Sequence, residues 1–393
     1  MEKQKVCIIG GGLTGLITSI ALSKINLKID LVGVNTNQHF KSNRTTAISQ
    51  ENFNFLKQSK ILDLSTNDFW CCSKMKLYTE NKGKRISEIF DFNQVEDEDK
   101  KILYMLNNLK TKRYLLRKIK KDKFIQIKKQ KKISNIFNSG ILRSIRLNNK
   151  DKSKYNLIIL CTGKNSNLSK KFFSKGIIEK SYNEISVTTT LSHAYTKNNT
   201  ARQIFLNNGV IALLPISNTK TSVVWSVNRN YINKSKVKRN LFIKQNILFY
   251  ANIFLKKIKS TSKLEFKDLS LTVRDKYYRD RILLFGDALH TVHPLAGQGF
   301  NMILRDLSSL IKILKNKINL GLDIGSTDVL SEFSKEIKPG NIVYSLGIDL
   351  IKNIFSLKNE SFKKLRNQVI GKMDKNKLIK NLFFSIADKG VKL

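Results

Sequence analysis

The chain has 393 residues, of which 72 are Lys or Arg and 30 are Asp or Glu, so its formal net charge is +42. This length predicts two or three domains. Apolar residues make up 41% of the chain and recur throughout it, which excludes a disordered basic tail, and the low count of three Pro excludes collagen-like and proline-rich proteins.

The positive charge has two possible explanations. A basic surface attracts phosphates, so nucleic acid or anionic lipid is a conceivable partner. A compositional bias toward Lys, Asn and Ile would give the same charge without any ligand, and we favour this explanation. Arg, which contacts guanine and phosphate in a bidentate manner, is the rarer base, and the sequence contains no base-reading motif, so no nucleic acid is expected as a partner.

Neither a membrane-spanning nor an exported protein is expected. No run of about 18 apolar residues occurs, and the first apolar residues lead directly into a glycine cluster, unlike a signal peptide. The four cysteines show no CxxC pair and no Cys/His metal spacing, which is typical of a reduced cytoplasmic protein.

The N-terminal residues predict a βαβ unit and therefore a parallel sheet. An apolar strand at 6–9 precedes a glycine cluster, a helix at 16–24 and a second buried strand at 27–34. Strands joined by such a helical crossover lie parallel to each other.

The glycine cluster fits the pattern G-x-G-x-x-G, with Leu13 and Thr14 between its last two glycines. Gly10 permits a tight turn, Gly12 lets the backbone approach a pyrophosphate, and Gly15 lets the helix pack closely on the strand. The helix N-terminus adds N–H donors and a positive dipole end. A dinucleotide cofactor is therefore expected here.

The rest of the chain alternates between helical and strand patterns. Its polar–apolar alternation across 185–230 is typical of an antiparallel sheet, so the fold class is α/β with a second, antiparallel domain. The predicted elements are helices at 48–64 and 102–121, a β-meander at 124–128, 133–137 and 141–147, a buried strand at 155–161, a helix at 240–258, a buried strand at 281–285, a helix at 301–315 and basic helices from 342 onward.

A second glycine-rich segment follows the strand at 281–285. It reads Gly286-Asp287-Ala288-Leu289-His290-Thr291-Val292-His293-Pro294-Leu295-Ala296-Gly297-Gln298-Gly299-Phe300-Asn301. This segment resembles the second flavin-binding motif of monooxygenases of the para-hydroxybenzoate hydroxylase type, and among these it is most similar to the ubiquinone-biosynthesis hydroxylases. The resemblance extends over nearly the whole chain, including Arg44-Thr45-Thr46-Ala47-Ile48-Ser49 and the helix around Lys112-Arg113.

The resemblance implies FAD as the cofactor and NAD(P)H as its reductant. In this interpretation Asp287 accepts hydrogen bonds from the ribityl hydroxyls of FAD, and Arg44 lies near the flavin. The residues implied to line the isoalloxazine ring are Pro294, Gly297, Gln298, Gly299 and Asn301. The helix that begins near Asn301 directs its dipole at the flavin pyrimidine edge, where negative charge develops on reduction. No catalytic acid or base is assigned, because the cofactor carries the difficult step.

The implied activity is that of a class A flavin monooxygenase. NAD(P)H reduces FAD, O2 converts the reduced flavin to a C4a-hydroperoxide, and the terminal oxygen is transferred to the ring of a polyprenyl phenol in ubiquinone biosynthesis. The implied architecture is a discontinuous Rossmann-like FAD-binding domain (1–66, 101–165 and 274–340), an antiparallel-sheet substrate domain (67–100 and 166–273) and a helical C-terminal region (341–393).

Two positions depart from the family pattern. Gly33 stands where an acidic residue usually binds the adenosine ribose, and Asp30 lies inside the strand, so the backbone or Asn35 would have to take that role. Thr162 stands before Gly163 where the family has Asp, and this change concerns the NAD(P)H contacts more than FAD. A non-catalytic basic scaffold that kept the fold is therefore an alternative, as is a hydroxylase of a soluble aromatic compound.

The four histidines do not predict a metal site. His290 and His293 lie in the flavin-binding segment, while His39 and His193 are isolated from each other and lack a surrounding carboxylate pattern. The expected metal content is none.

The C-terminal region offers a further partner. Apolar residues recur there at helical spacing and basic residues surround them. This face would either pack against the body of the protein or lie on the inner face of an anionic membrane, where a polyprenyl substrate dissolves. Peripheral membrane attachment and membership of a ubiquinone-biosynthesis complex are both conceivable. The apolar residues are Val343, Leu346, Leu350, Ile351, Ile354 and Phe355.

Overall fold

The structure is a computed structural model that describes residues 3–34, 42, 44–63, 68–92, 101–128, 133–147, 151–233, 238–357 and 359–391. The described part of the chain contains 21 strands. In chain order they are β1 (Lys5–Ile9), β2 (Lys28–Val32), β3 (Thr45–Ser49), β4 (Phe69–Cys72), β5 (Lys74–Glu80), β6 (Ile86–Asp91), β7 (Leu103–Asn107), β8 (Ile125–Lys128), β9 (Ile133–Ser139), β10 (Leu142–Leu147), β11 (Asp151–Tyr155), β12 (Leu157–Leu160), β13 (Ile177–Ser192), β14 (Thr200–Leu206), β15 (Gly209–Ser217), β16 (Lys220–Asn228), β17 (Ser260–Thr261), β18 (Glu265–Arg274), β19 (Tyr278–Arg279), β20 (Ile282–Leu284) and β21 (His290–Thr291).

Ten α-helices accompany these strands within the same residues. They are α1 (Leu13–Ser23), α2 (Gln50–Gln58), α3 (Asn108–Lys121), α4 (Asn167–Phe172), α5 (Arg229–Asn233), α6 (Arg239–Asn252), α7 (Gln298–Asn319), α8 (Thr327–Ser356), α9 (Glu360–Lys375) and α10 (Lys377–Lys389). Single 3₁₀ turns are formed by Lys82–Lys84, Gly286–Ala288 and Leu295–Gly297.

The first sheet has the strand order β19-β20-β12-β1-β2-β8. The four pairings from β20 to β8 are parallel, and only β19 runs antiparallel to its neighbour. Its central strands are almost entirely apolar and buried, as expected for a parallel sheet covered on both faces. The predicted βαβ unit is confirmed: β1, α1 and β2 form it, and β1 lies at the centre of the sheet.

The second large sheet has the order β21-β18-β13-β16-β15-β14-β5-β6, with β17 beside β13. Its strands pair antiparallel except for β14 and β5. One face of this sheet packs on α6, where Ile243 and Ile247 contact a core that includes Val187 and Trp225. The predicted antiparallel domain is confirmed, and its opposite face is turned toward the first sheet.

Two of the predicted elements are wrong in type or partner. Residues 124–128 do not belong to the meander, because β8 pairs parallel with β2 in the first sheet; the meander is formed by β9, β10 and β11. Residues 103–107, predicted as the start of a helix, form β7 between β3 and β4. A short apolar segment does not distinguish a buried strand from a helical turn, and an edge strand of a parallel sheet alternates like a hairpin strand.

The C-terminal helices join the two sheets. α7 packs on α1 and α8, α9 lies against β6, and α10 lies against α2. The contact with the body leaves part of each helix surface exposed. None of the helices in the described part of the chain is both long and apolar enough to cross a lipid bilayer.

Candidate functional site

A cavity of about 820 Å³ lies between the carboxyl ends of the parallel strands and one face of the second sheet. Both glycine-rich segments line it, and so does the segment at the end of β12. The ligand-binding position at the carboxyl end of parallel strands is the usual one in α/β proteins. The predicted site residues found in its wall are Gly10, Gly12, Leu13, Thr14, Arg44, Asp287, Pro294, Gly297 and Gly299.

The first glycine turn has no room for side chains at two of its three motif positions. A Cβ added to Gly10 would lie 2.2 Å from the carbonyl oxygen of Cys161, and one added to Gly15 would lie 1.9 Å from that of Gly10. Gly10 also has a φ of +134°, which favours glycine. A Cβ on Gly12 would meet no protein atom within 4 Å. The geometry therefore leaves Gly12 open for a ligand, while Gly10 and Gly15 permit the turn and the helix contact.

Two helix N-termini open onto this cavity. Helix α1 has Gly12 as its N-cap and α7 has Gly297, so no side chain occupies either end. Gly297 has a φ of +67°, in the left-handed region. Because each N-terminus carries free N–H groups and partial positive charge, the cavity suits a ligand with negative charge at two separate points. A pyrophosphate and the pyrimidine edge of a reduced flavin have this property.

Three predicted residues do not line the cavity. Gly15 lies under the first turn, as its contact with Gly10 shows. The Gln298 side chain is buried and accepts a hydrogen bond from the Tyr344 hydroxyl at 2.6 Å. The fully buried Asn301 accepts from the Ser49 N–H at 3.0 Å. Gln298 and Asn301 therefore hold the wall of the cavity from behind, and a direct contact of their side chains with a ring stays a prediction that this geometry does not favour.

Two charged residues stand at the rim of the cavity. Asp287 lies in its wall with 47% of its side chain exposed, and its carboxylate is 3.6 Å from the Lys267 ammonium. Arg44 lies in the wall as well, and its Nε is 3.3 Å from the carboxylate of Glu265. Lys267 and Glu265 both belong to β18, so these pairs connect the first sheet's loops to the second sheet.

The two departures from the family pattern have different structural settings. Gly33 lines the cavity, whereas Asp30 is buried, accepts a hydrogen bond from the Tyr155 hydroxyl at 2.7 Å and pairs with Lys5 at 2.9 Å. Burial raises the pKa of Tyr155 far above its ordinary value. Asp30 thus has a structural role, and Asn35 lies outside the described residues. Thr162 lines the cavity, with its hydroxyl 3.0 Å from that of Ser169.

The second sheet contributes a wall that is apolar in its middle part and also contains polar residues such as Ser186, Thr188 and Arg202, and the sequence did not identify these residues one by one. Small side chains at Ala201 and Ala212 leave space in this wall, and Gln203 adds an amide. An apolar surface facing two flavin-type loops suits an aromatic ring. The polar–apolar alternation across 200–224 was visible in the sequence, but the sequence did not indicate which strands pair with each other. The other apolar members of the wall from this sheet are Met75, Leu214, Val224 and Leu269, and Leu103 of β7 lies in the cavity wall as well.

The basic pair on α3 and the histidines have different positions relative to the cavity. Neither Lys112 nor Arg113 is among the described residues that line the cavity, and burial lowers the pKa of Lys112. No group of three or more His, Cys, Asp or Glu residues in the described ranges is placed to hold a metal ion. His290 lines the cavity and lies 2.7 Å from Asp306. His39 lies outside the described residues.

Comparison with known proteins agrees with this geometry. Residues 3–328 match the model of the FAD binding domain family. The chain is 26% identical to the Dictyostelium discoideum protein named ubiquinone biosynthesis monooxygenase COQ6, mitochondrial, over 97% of this chain and 90% of that one. It is 28% identical to the ubiquinone hydroxylase UbiL of Rhodospirillum rubrum, over 56% of this chain and 51% of that one.

The fold has a clear counterpart among solved structures. Superposition on p-nitrophenol 4-monooxygenase PnpA from Pseudomonas putida gives a TM-score of 0.79 at 15% identity and covers both chains completely. The open glycine turn and the two glycine-capped helices fit FAD, which needs space at a pyrophosphate and positive charge at the flavin. The resemblance found in the sequence is thereby confirmed, with FAD as the cofactor. The chain belongs to the FAD binding domain family.

Proposed function

We propose that this protein is an FAD-dependent monooxygenase that hydroxylates the aromatic ring of a polyprenyl phenol in ubiquinone biosynthesis, with NAD(P)H as reductant and O2 as co-substrate. The observation that carries the proposal is that the flavin-type loops and the apolar wall of the second sheet enclose one cavity. The relatives named for ubiquinone biosynthesis support the substrate class.

FAD, when bound, supplies the redox chemistry that activates O2. The chain's own contribution is binding, orientation and exclusion of water. In this proposal the α1 N-terminus and Gly12 hold the pyrophosphate, Asp287 orients the ribityl chain, and the N-terminus of α7 stabilises negative charge at the pyrimidine edge. The apolar wall around Ala201 and Ala212 would hold the phenol ring and keep water from the reacting atoms.

The same proposal divides the chain as the sequence analysis did. Residues 1–66, 101–165 and 274–340 would bind the nucleotide, residues 67–100 and 166–273 would cover the substrate, and 341–393 would close the site from outside. A non-catalytic scaffold is not favoured, because it would have no use for a glycine turn held open toward a ligand.

Product analysis tests this function. The FAD-loaded protein is incubated with NADH or NADPH and a panel of phenolic quinone precursors that carry short prenyl tails. We expect NAD(P)H oxidation coupled to a product heavier by one oxygen atom. Soluble hydroxybenzoates serve as the comparison substrates, and hydroxylation of these alone would replace the polyprenyl assignment. Reduction of FAD without hydroxylation of any precursor would refute the proposed reaction.

We further propose that the C-terminal helices rest on an anionic membrane, where a polyprenyl substrate is dissolved. Residues 341–393 contain eleven Lys or Arg and four Asp or Glu. Each of the last three helices exposes a pair of apolar side chains four residues apart, which places both members on one face. The pairs are Leu346 and Leu350 on α8, Leu365 and Val369 on α9, and Leu378 and Leu382 on α10.

Vesicle flotation tests this surface. Burial of two leucines in the headgroup region stabilises binding by a few kcal/mol at most, so replacing Leu378 and Leu382 together by Ser should weaken binding to phosphatidylglycerol vesicles about tenfold. Leu320 and Leu322, which are exposed just after α7, provide the matched double-Ser control and should have no effect. Binding should also fall as salt rises. Equal binding to neutral vesicles, or binding only to a partner protein, would exclude the anionic membrane.

A further inference from the structure

His293, in the middle of the cavity-lining segment, points away from the cavity. His290, Thr291, Val292 and Pro294 lie in the wall, but His293 does not. Its side chain is only 1% exposed, and its Nε2 lies 3.0 Å from the Glu184 carboxylate. The segment is therefore anchored at its centre to β13 of the second sheet.

Glu184 is held in place by an irregularity of its own strand. The pairing of β13 with β18 shifts register between Ser181 and Glu184. Asn183 within this bulge has a φ of +52°, a left-handed conformation that Asn adopts more readily than most residues with a side chain. Bulges of this kind redirect a side chain that regular pairing would place elsewhere.

The second oxygen of Glu184 connects to the C-terminal region. It lies 3.0 Å from the ammonium of Lys352 on α8, and both side chains are largely buried. The ring of Tyr182 packs edge-on against His293 and lies 4.9 Å from the Lys352 ammonium. Burial alone would raise the pKa of Glu184, but His293 and Lys352 together lower it, so the carboxylate is ionised. A continuous polar chain thus links α8, β13 and the wall of the cavity.

We propose that Glu184 is a positioning residue. Through His293 it fixes the segment that contains Pro294 against the flavin, and through Lys352 it makes this position depend on the docking of α8. The inference rests on the proposed cofactor site. No atom of the three residues needs to touch the substrate. An ion pair that served stability alone would not need to include His293, which stands between the wall residues Val292 and Pro294.

The matched control lies about one turn away. Lys180 of β13 pairs with Asp349 of α8 at 3.0 Å, so this pair joins the same strand and helix without contacting the loop; Asp349 also faces the Tyr182 hydroxyl, for which the Asn of Asp349→Asn keeps an acceptor. We compare Glu184→Gln and Lys352→Met with Asp349→Asn in the FAD-loaded full-length protein. Glu184→Gln keeps the shape and one acceptor oxygen for His293, but it removes the charge and places an NH2 group where the second oxygen pairs with Lys352.

The expected results separate positioning from simple docking. Glu184→Gln and Lys352→Met should each lower kcat about tenfold, with KM changed less than twofold, because a small displacement of the wall disturbs the reactive geometry. They should also shift the visible absorption of bound FAD, and Lys352→Arg should restore both properties. Asp349→Asn should leave kcat and the spectrum unchanged.

Two outcomes would overturn the proposal. Either Asp349→Asn causes the same losses, which would indicate helix docking alone, or Glu184→Gln and Lys352→Met keep the parent spectrum and kcat. Lys352 lies closer to the surface than Glu184, so the Lys352→Met variant remains informative if Glu184→Gln fails to fold. The flavin spectrum is recorded without substrate, so it tests the anchor even if the hydroxylation assay gives no product.

Discussion

The Gly12→Ala variant is expected to fold as stably as the parent protein but to bind FAD at least about tenfold more weakly. Its φ of −79° suits alanine, and the new Cβ would meet no protein atom within 4 Å. The only group that the methyl group would displace is the ligand, because a pyrophosphate at the α1 N-terminus must approach the backbone closely. Loss of about 1.4 kcal/mol corresponds to the tenfold change.

The Gly15→Ala variant is expected to lose stability, whereas Gly12→Ala is expected to keep it. Its Cβ would lie 1.9 Å from the Gly10 carbonyl oxygen, a backbone atom directly after the central strand β1. The overlap forces α1 away from β1 and should lower the free energy of unfolding by at least about 2–3 kcal/mol, more than the gain in helix propensity returns. FAD binding should be lost together with the packing of the turn.

Both variants are measured in the same two assays. Urea unfolding of the FAD-free protein reports stability, and quenching of flavin fluorescence on titration reports the Kd for FAD. The two glycines are separated by three positions in one motif, so each serves as the control for the other. Equal destabilisation of both variants, or normal FAD affinity of Gly12→Ala, would mean that the turn is not shaped around a pyrophosphate.

The glycine turn could be predicted because its determinants are local. Gly10, Gly12 and Gly15 lie within six residues, between an apolar strand and a helix, and each has a distinct steric environment that the spacing already suggested. The position of β7 could not be predicted in the same way. Its residues form an apolar run that suits a strand or a helix, and its pairing with β3 and β4 brings together segments distant in sequence.

The second motif shows a different limit. The sequence places Gln298 and Asn301 beside the lining residues, but a helix turns successive side chains to different sides. Gly299, Phe300 and Ile303 face the cavity, whereas the side chains of Gln298 and Asn301 are bonded to Tyr344 and to the segment around Ser49. Sequence position within α7 alone did not indicate which face would be exposed to the ligand.

The apolar wall could not be predicted either, because it depends on non-local strand pairing. Met75 and Ala201 are adjacent only since β5 and β14 pair in parallel, with Met75 opposite Ala201. Nothing in either segment specifies that partner. The general antiparallel pattern was visible in the alternation of residues, while the composition of the substrate wall followed from the register.

Replacing Asp287 by Ala is expected to weaken FAD binding by roughly 10- to 100-fold without changing the stability of the FAD-free protein. The carboxylate stands in the cavity wall with nearly half of its surface exposed, and its ion-pair partner, Lys267, is 3.6 Å away. Little is therefore lost within the protein when the group is removed. Hydrogen bonds to a charged acceptor contribute about 1.5–3 kcal/mol, and this loss appears in the Kd for FAD.

Two further variants make the result specific to the carboxylate at this position. Asp287→Asn keeps the size of the side chain and one acceptor oxygen, so its Kd should lie between those of the parent and Asp287→Ala. Asp268→Asn removes an exposed carboxylate of β18 that pairs with Arg229 and does not line the cavity, so it controls for the change in net charge.

Because the chain carries +42, loss of one negative charge anywhere would alter long-range attraction of the FAD phosphates. That effect would strengthen binding in both Asp variants, in the direction opposite to the loss expected at Asp287. If Asp287→Ala binds FAD as tightly as Asp268→Asn, the carboxylate does not contact the ribityl chain, and the orientation proposed for the flavin is incorrect.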